Sequence, residues 1–236
     1  MKKGFKSIVV RMPNCIGDLV MDTPVLEDLR RAFPNAEITA MCQENIAPLL
    51  ECDPAINELF CFSRSKGLIR RIGERNIVEK LKSGNHDLGI LLTNSFSSAW
   101  RFWQGGVKNK IGFKSDGRSL SLDHAIPFPK NQKEQHLVTT YKMLLEPLDI
   151  PVSKTLPRLI LKDEEIEWAW EFVKRFDITK GDKIIGINPG AAYGAAKCWL
   201  PERFREVAKR MVEADPSHVA LFFGDLSHKS LITDIC

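Results

Sequence analysis

Residues 7–33, SIVVRMPNCIGDLVMDTPVLEDLRRAF, hold the passage that decides the fold. Ser7 to Met12 reads as a buried strand, because Ile8, Val9 and Val10 form a short β-branched run. A five-residue loop follows, then apolar positions at Leu19, Leu26, Leu29 and Phe33 recur at helical spacing until Pro34-Asn35 stops them. Strand, loop and helix in that order open a parallel α/β layout.

The same alternation extends outward. A strand is expected near 37–42, a short helix near 44–51, a strand near 59–62 and a helix through the basic segment that follows. Leu88, Ile90, Leu91 and Leu92 make the near-continuous apolar run of a central parallel strand. A helix near 95–103, an irregular Gly-rich stretch from 105 to 130 and a helix over 137–148 complete the first half. Residues 149–157, with two prolines, read as a linker, which puts domains at 1–157 and 158–236. Beyond it come a helix (163–176), a strand (183–188), a small-residue loop, a helix (201–214) and a strand (218–223). Two strands leave an apolar helix face and a strand edge uncovered, so the second doubly wound domain is expected to be incomplete.

Composition narrows the class of function. The 236 residues are 44% hydrophobic and 27% charged with a net charge of +4, which is ordinary for a globular chain and too mild for nucleic acid. The six cysteines include no Cys-x-x-Cys pair, which argues against a zinc site or disulfide framework and for a reduced, cytoplasmic protein. The five histidines show no ligand spacing, so no metal is assigned. No run approaches the ~18 apolar residues that cross a bilayer. Membrane contact, if any, is peripheral, and residues 64–82, with seven Lys or Arg including Arg70 and Arg71, are its candidate. A solvated helix face explains that segment equally well. Trp100, Trp103, Trp168 and Trp170 read as core or interdomain packing.

In doubly wound folds ligands sit where strands end and helices begin. Two such loops differ in chemistry. The first, Pro13 to Asp18, lacks a Gly-x-Gly-x-x-Gly fingerprint and puts a carboxylate where a phosphate would dock. A helix N-terminus favours the ionised form of Asp18, which suits a general base, although a helix cap is the commoner role for an Asp in this setting. The second, Asn188 to Trp199, is small-residue backbone with Lys197 as its fixed positive charge, followed by a Pro201-initiated helix. That is the composition of a diphosphate cradle, or merely of a tight turn. Cys15 and Cys198 beside these loops read as structural small residues.

The Gly17-Asp18 step after the first strand and the Pro189-Gly190-Ala191 loop with Lys197-Cys198-Trp199 resemble glycosyltransferase family 9. Asn94-Ser95-Phe96, the 105–113 stretch and Phe222-Phe223-Gly224 are similar to its heptosyltransferase II branch, in the right order. The resemblance implies a GT-B fold of two Rossmann-like domains, the first holding the acceptor and the second ADP-heptose. It implies an inverting transfer to the heptosylated lipid A inner core of lipopolysaccharide, at the cytoplasmic face of the inner membrane. Asp18 matches the family's catalytic base. Gly190, Ala191, Gly194, Lys197 and Trp199 are expected at the donor diphosphate, and Asn14, Gly17, Asn94, Ser95, Arg70 and Arg71 at the acceptor. No Asp-x-Asp pair occurs, so neither metal nor cofactor is expected. The family's Asn-Asp-Ser-Gly-x-x-His segment has no counterpart here, which keeps a non-catalytic acceptor- or partner-binding module as an alternative. A Rossmann oxidoreductase is disfavoured by the missing glycine fingerprint.

Overall fold

A computed structural model describes residues 4–63, 68–131, 134–191 and 195–236, with the side chains of 68–71 and 195 outside that description. The chain divides into two compact units, Met1–Leu161 and Lys162–Cys236.

The first unit is built on a six-stranded sheet, β1 (Ser7–Arg11), β2 (Glu37–Gln43), β3 (Glu58–Phe62), β4 (Leu88–Leu91), β5 (Asn109–Phe113) and β6 (His124–Ile126). The spatial order is β3-β2-β1-β4-β5-β6 and every pairing is parallel. Parallel neighbours need crossovers, and the crossovers cover both faces. On one face α1 (Ile16–Ala32), a 3-10 segment (Glu44–Leu50) and α4 (Leu137–Lys142), continued by a 3-10 segment (Met143–Leu148), pack over Ile8, Val10, Ile38, Leu88 and Ile90. On the other, α2 (Leu68–Ser83) and α3 (Phe96–Gln104) bury Ile77, Leu81, Ala99 and Phe102 against Val9, Met41 and Leu91. Strand period two explains the split, since alternate β1 side chains take opposite faces. The Arg101 guanidinium binds Glu74 with two hydrogen bonds of 2.5 Å each, fastening α3 to α2.

Two strands lie in what the sequence reads as irregular. β5 carries Asn109, Lys110 and Gly112, and β6 has only three residues, so neither shows an apolar run. Lys110 is nevertheless buried, its ammonium 2.9 Å from the Val107 carbonyl and 2.7 Å from the Asp123 carboxylate. Gly89 of β4 fits where no larger residue does, because a Cβ there would stand 2.7 Å from both Phe102 and Val107. Gly89→Ala should therefore destabilise the first unit by about 1–3 kcal/mol, read as a lower urea midpoint at unchanged slope.

Helix α1 contains Pro24, which cannot donate to the Val20 carbonyl one turn back. The Thr23 hydroxyl does so instead, at 2.8 Å, and accepts the Arg158 amide at 3.1 Å. A turn later the buried Asp28 accepts the hydroxyls of Ser153 (2.7 Å) and Thr155 (3.2 Å). The Lys142 ammonium lies 4.0 Å from Asp28 and donates to the carbonyls of Ser153 (3.2 Å) and Thr155 (2.6 Å). The stretch read as a linker is thus strapped to the first unit through residue 158.

In the second unit α5 (Asp163–Lys174), β7 (Lys183–Ile187), α6 (Pro201–Ala214), β8 (His218–Phe222) and α7 (Lys229–Ile235) surround one parallel pair, β7 with β8. Among its described apolar residues only Ile178, Pro189, Ala208 and Ile235 are buried, while Trp168, Phe172, Phe176 and Met211 are exposed. Of the two readings for the tryptophans, core or interdomain packing, the first is corrected for Trp100, Trp103 and Trp168, whose exposures are 40%, 55% and 67%. Trp100 stacks on Trp103 at 4.7 Å and on Phe96 at 5.9 Å along one side of α3. Three aromatics at i, i+4 and i+7 shelter each other there without entering the core.

Candidate functional site

Strand order reverses between β1 and β4, and a crevice opens beyond their carboxyl ends at such a reversal. Four residues assigned to the acceptor follow these two strands directly: Asn14 and Gly17 after β1, Asn94 and Ser95 after β4. Asn14 is engaged already, its amide oxygen accepting Arg11 (2.6 Å) and Gln43 (2.7 Å), so it knits β1 to β2. Gly17 faces open space. Ser95 is the N-cap of α3, its hydroxyl accepting the Ser98 amide at 3.4 Å, while Asp116 accepts the Phe96 amide at 2.7 Å. Arg70 and Arg71 fall in the first turn of α2, and their side chains lie outside the described residues.

The N-cap of α1 is Cys15, with no side-chain hydrogen bond, which places Asp18 at the third helical position and not in the capping role. The first intrahelical bond runs from the Leu19 amide to the Cys15 carbonyl at 2.9 Å. The amides of Ile16, Gly17 and Asp18 precede it and point out of the helix end, beside a half-buried carboxylate.

Three buried side chains of the first unit escape the sequence reading. Arg118, fully buried in the 3-10 segment Arg118–Ser121, donates to the carbonyls of Phe113 (2.9 Å) and Thr93 and to the Asn94 side chain (3.3 Å). It bolts the ends of β4 and β5 together, and Gly112 leaves room for it, since a Cβ would come within 3.0 Å of the guanidinium. Burial pulls its pKa down to about 10, so it stays charged at neutral pH. Asp22, one turn after Asp18, has no exposed surface, and neither carboxyl oxygen has a hydrogen-bond partner among the described residues. Burial, with Asp18 adding to it, pushes the Asp22 carboxyl well above the ordinary carboxylate range. Tyr141 of α4 completes the group; burial first, then Asp22 and Asp18, push its phenol up. The signal for Asp22 was present: it occupies the apolar stripe of α1, three residues from Leu19 and four from Leu26.

In the second unit the loop after β7 makes an Asx turn, the Gly190 amide donating to the Asn188 side chain at 3.2 Å. Gly190 packs so closely on His228 that a Cβ would sit 2.6 Å from its ring. His228 follows β8 and lies 3.1 Å from Asp225, which caps the 3-10 turn Leu226–His228. The loops after the two parallel strands therefore meet. Ala191 is half-buried in this loop, Lys197 ends the 3-10 turn Ala195–Lys197 and is exposed, and Trp199 meets Phe204 edge-on at 5.5 Å. Gly194 lies outside the described residues. No group of three or more potential metal ligands occurs among the described residues, and no described helix is long and apolar enough to cross a membrane.

Residues 75–234 match the model of glycosyltransferase family 9 (heptosyltransferase). The chain belongs to this family. Among curated relatives, lipooligosaccharide heptosyltransferase 2 of Haemophilus ducreyi is 26% identical over 213 residues, 87% of this chain and 60% of its own length. Lipopolysaccharide heptosyltransferase 2 of Escherichia coli is 26% identical over 224 residues, 92% of this chain and 63% of its own length. The chain thus spans about three fifths of these relatives. A solved family 9 glycosyltransferase from Veillonella parvula superposes with a TM-score of 0.89 at 26% identity, covering all of this chain and 67% of its own. The Escherichia coli ADP-heptose LPS heptosyltransferase II structure gives 0.78 at 24%, over 97% of this chain and 67% of its own. The fold of this family 9 member is accordingly α/β of the GT-B type.

Proposed function

We propose that the chain carries the acceptor domain and a nucleotide-binding segment of an inverting heptosyltransferase that extends the inner core of lipopolysaccharide. One observation supports this most: a half-buried carboxylate, Asp18, stands over the strand reversal in the first turn of α1 and is not the helix cap. As general base Asp18 takes the proton of an acceptor heptose hydroxyl. The oxygen attacks the anomeric carbon of ADP-heptose from the face opposite the leaving group, and ADP departs with the bonding pair. Asn94, held by Arg118, and Gly17 flank the acceptor. Arg70 and Arg71 of the basic helix α2 are assigned to its anionic groups, and a lipid-borne acceptor puts the protein at the cytoplasmic surface of a membrane.

Charge building on the departing diphosphate meets Lys197 and the amides of Gly190 and Ala191, so no metal is required for that task. Gly190, packed on His228, and Ala191 are assigned to the same diphosphate, and Trp199 borders it. Lys197→Ala should lower kcat/KM for ADP-heptose by about 10²–10³-fold in a chain of the relatives' length, with Lys197→Arg recovering part of it. The function is tested by ADP release from ADP-heptose with a heptosylated lipid A acceptor. Release that needs the acceptor supports it; none in a folded full-length chain rejects it.

A further inference from the structure

The buried carboxyl behind the proposed base takes no part in the proposed transfer step. We infer that Asp22 is a proton-bearing positioning residue for Asp18: a neutral carboxylic acid whose O–H is offered to the Asp18 carboxylate and steadies it.

The geometry is local and specific. Asp18 and Asp22 are one turn apart on α1, so their Cβ atoms lie about 5–6 Å apart on one face. Asp22 is sealed from solvent, and both its oxygens lack partners among the described residues. As an anion it would be a buried charge with no donor among the described residues, a costly state for a carboxyl. As an acid it has one donor to place. Asp18 is the charged group that bears on Asp22, and Asp22 in turn bears on Tyr141 of α4, which also feels Asp18, Arg118 and Cys15. Arg118 spends its donors on Phe113, Thr93 and Asn94 and does not neutralise Asp22. Asp18 is the anionic acceptor within a turn. The raised affinity of Asp22 for its proton agrees with this placement.

The proton count closes. At rest the pair holds one proton, on Asp22, and one negative charge, on Asp18. When the acceptor hydroxyl loses its proton to Asp18 the pair becomes neutral with two, and the O–H of Asp22 keeps Asp18 turned to the crevice. This last use rests on Asp18 being the base; the pairing itself does not.

Carboxyl-13C aspartate in the 236-residue chain, followed from pH 3 to 9, tests the pairing without turnover. One resonance should stay at the protonated position at pH 7 and vanish in Asp22→Asn. Its midpoint should fall by about one unit or more in Asp18→Asn, where the like charge is gone. Native protein that keeps a proton the unfolded chain releases near pH 4 loses stability as pH rises from about 4 toward the raised value. The melting temperature should fall across that window in the wild type and run flatter in Asp22→Asn. The wild-type spectrum alone can overturn the inference: every aspartate ionised at pH 7 defeats it, even if no variant folds. An Asp22 midpoint indifferent to Asp18→Asn also defeats it. If the pairing holds while Asp18→Asn keeps full transfer activity, the pair stands and the assignment of the base falls.

Discussion

Asp18→Asn should reduce heptose transfer by about 10²–10⁴-fold, the span that a positioned general base contributes. The loss belongs in kcat as well as kcat/KM, because the carboxylate acts on a proton in flight and adds little to ground-state binding. Asparagine keeps the size of the side chain and leaves the Cys15 cap of α1 untouched, so the melting temperature should move little. A rate loss accompanied by unfolding would instead mark Asp18 as structural. Single-turnover kinetics with ADP-heptose in a chain of the relatives' length separates the two, since donor binding should persist when the chemical step fails.

Lys142→Met should cost about 3–5 kcal/mol, the price of leaving a buried charge without its partner. Three things fail together. Asp28 loses the ammonium beside it and retains only the hydroxyls of Ser153 and Thr155, while two strap carbonyls lose a donor. For a unit of this size the midpoint should drop by roughly 10 °C. Changing Asp28 to Leu in the same chain should return a good part of the loss, because an apolar pair avoids burying a lone charge. If the double variant is as unstable as the single losses added, the two residues are uncoupled and the ion-pair account is wrong.

Much of this architecture is legible in the residues. β1 and β4 announce themselves by apolar runs, α6 begins at Pro201 as its composition requires, and the family's two loops lie at strand ends in their own units. What stays hidden is hidden for a physical reason. β5 and β6 are joined by backbone bonds and by the Lys110–Asp123 pair while Asn109, Lys110, Gly112 and His124 break up their apolar residues, and no window of hydrophobicity reports such bonds. Arg118 reads as one more cation in a polar stretch, because its carbonyl partners at Thr93 and Phe113 come from strands that only the sheet brings together. Trp100 and Trp103 mislead in the opposite sense, since size and apolarity suggest core where the helix turns them outward. Asp22 is the instructive case: a carboxylate in an apolar stripe contradicts its surroundings, and such contradictions collect at working sites.

The crevice also has a history each time the protein is made. Ile8 faces Ile38 on one side and Leu88 on the other, and closing the longer of these loops costs only about 1 kcal/mol more than the shorter. The difference is in time. At about 5–20 residues per second, the ribosome delivers β4 some 3–10 s after β2. Until then β1 is an open edge, and α1 carries its acids over a crevice with only one wall. The seam proposed to receive the acceptor is therefore also the seam along which the nascent sheet closes. A lesion that delays β4, such as a bulkier residue at 89, would strand a three-strand half with its stickiest edge uncovered.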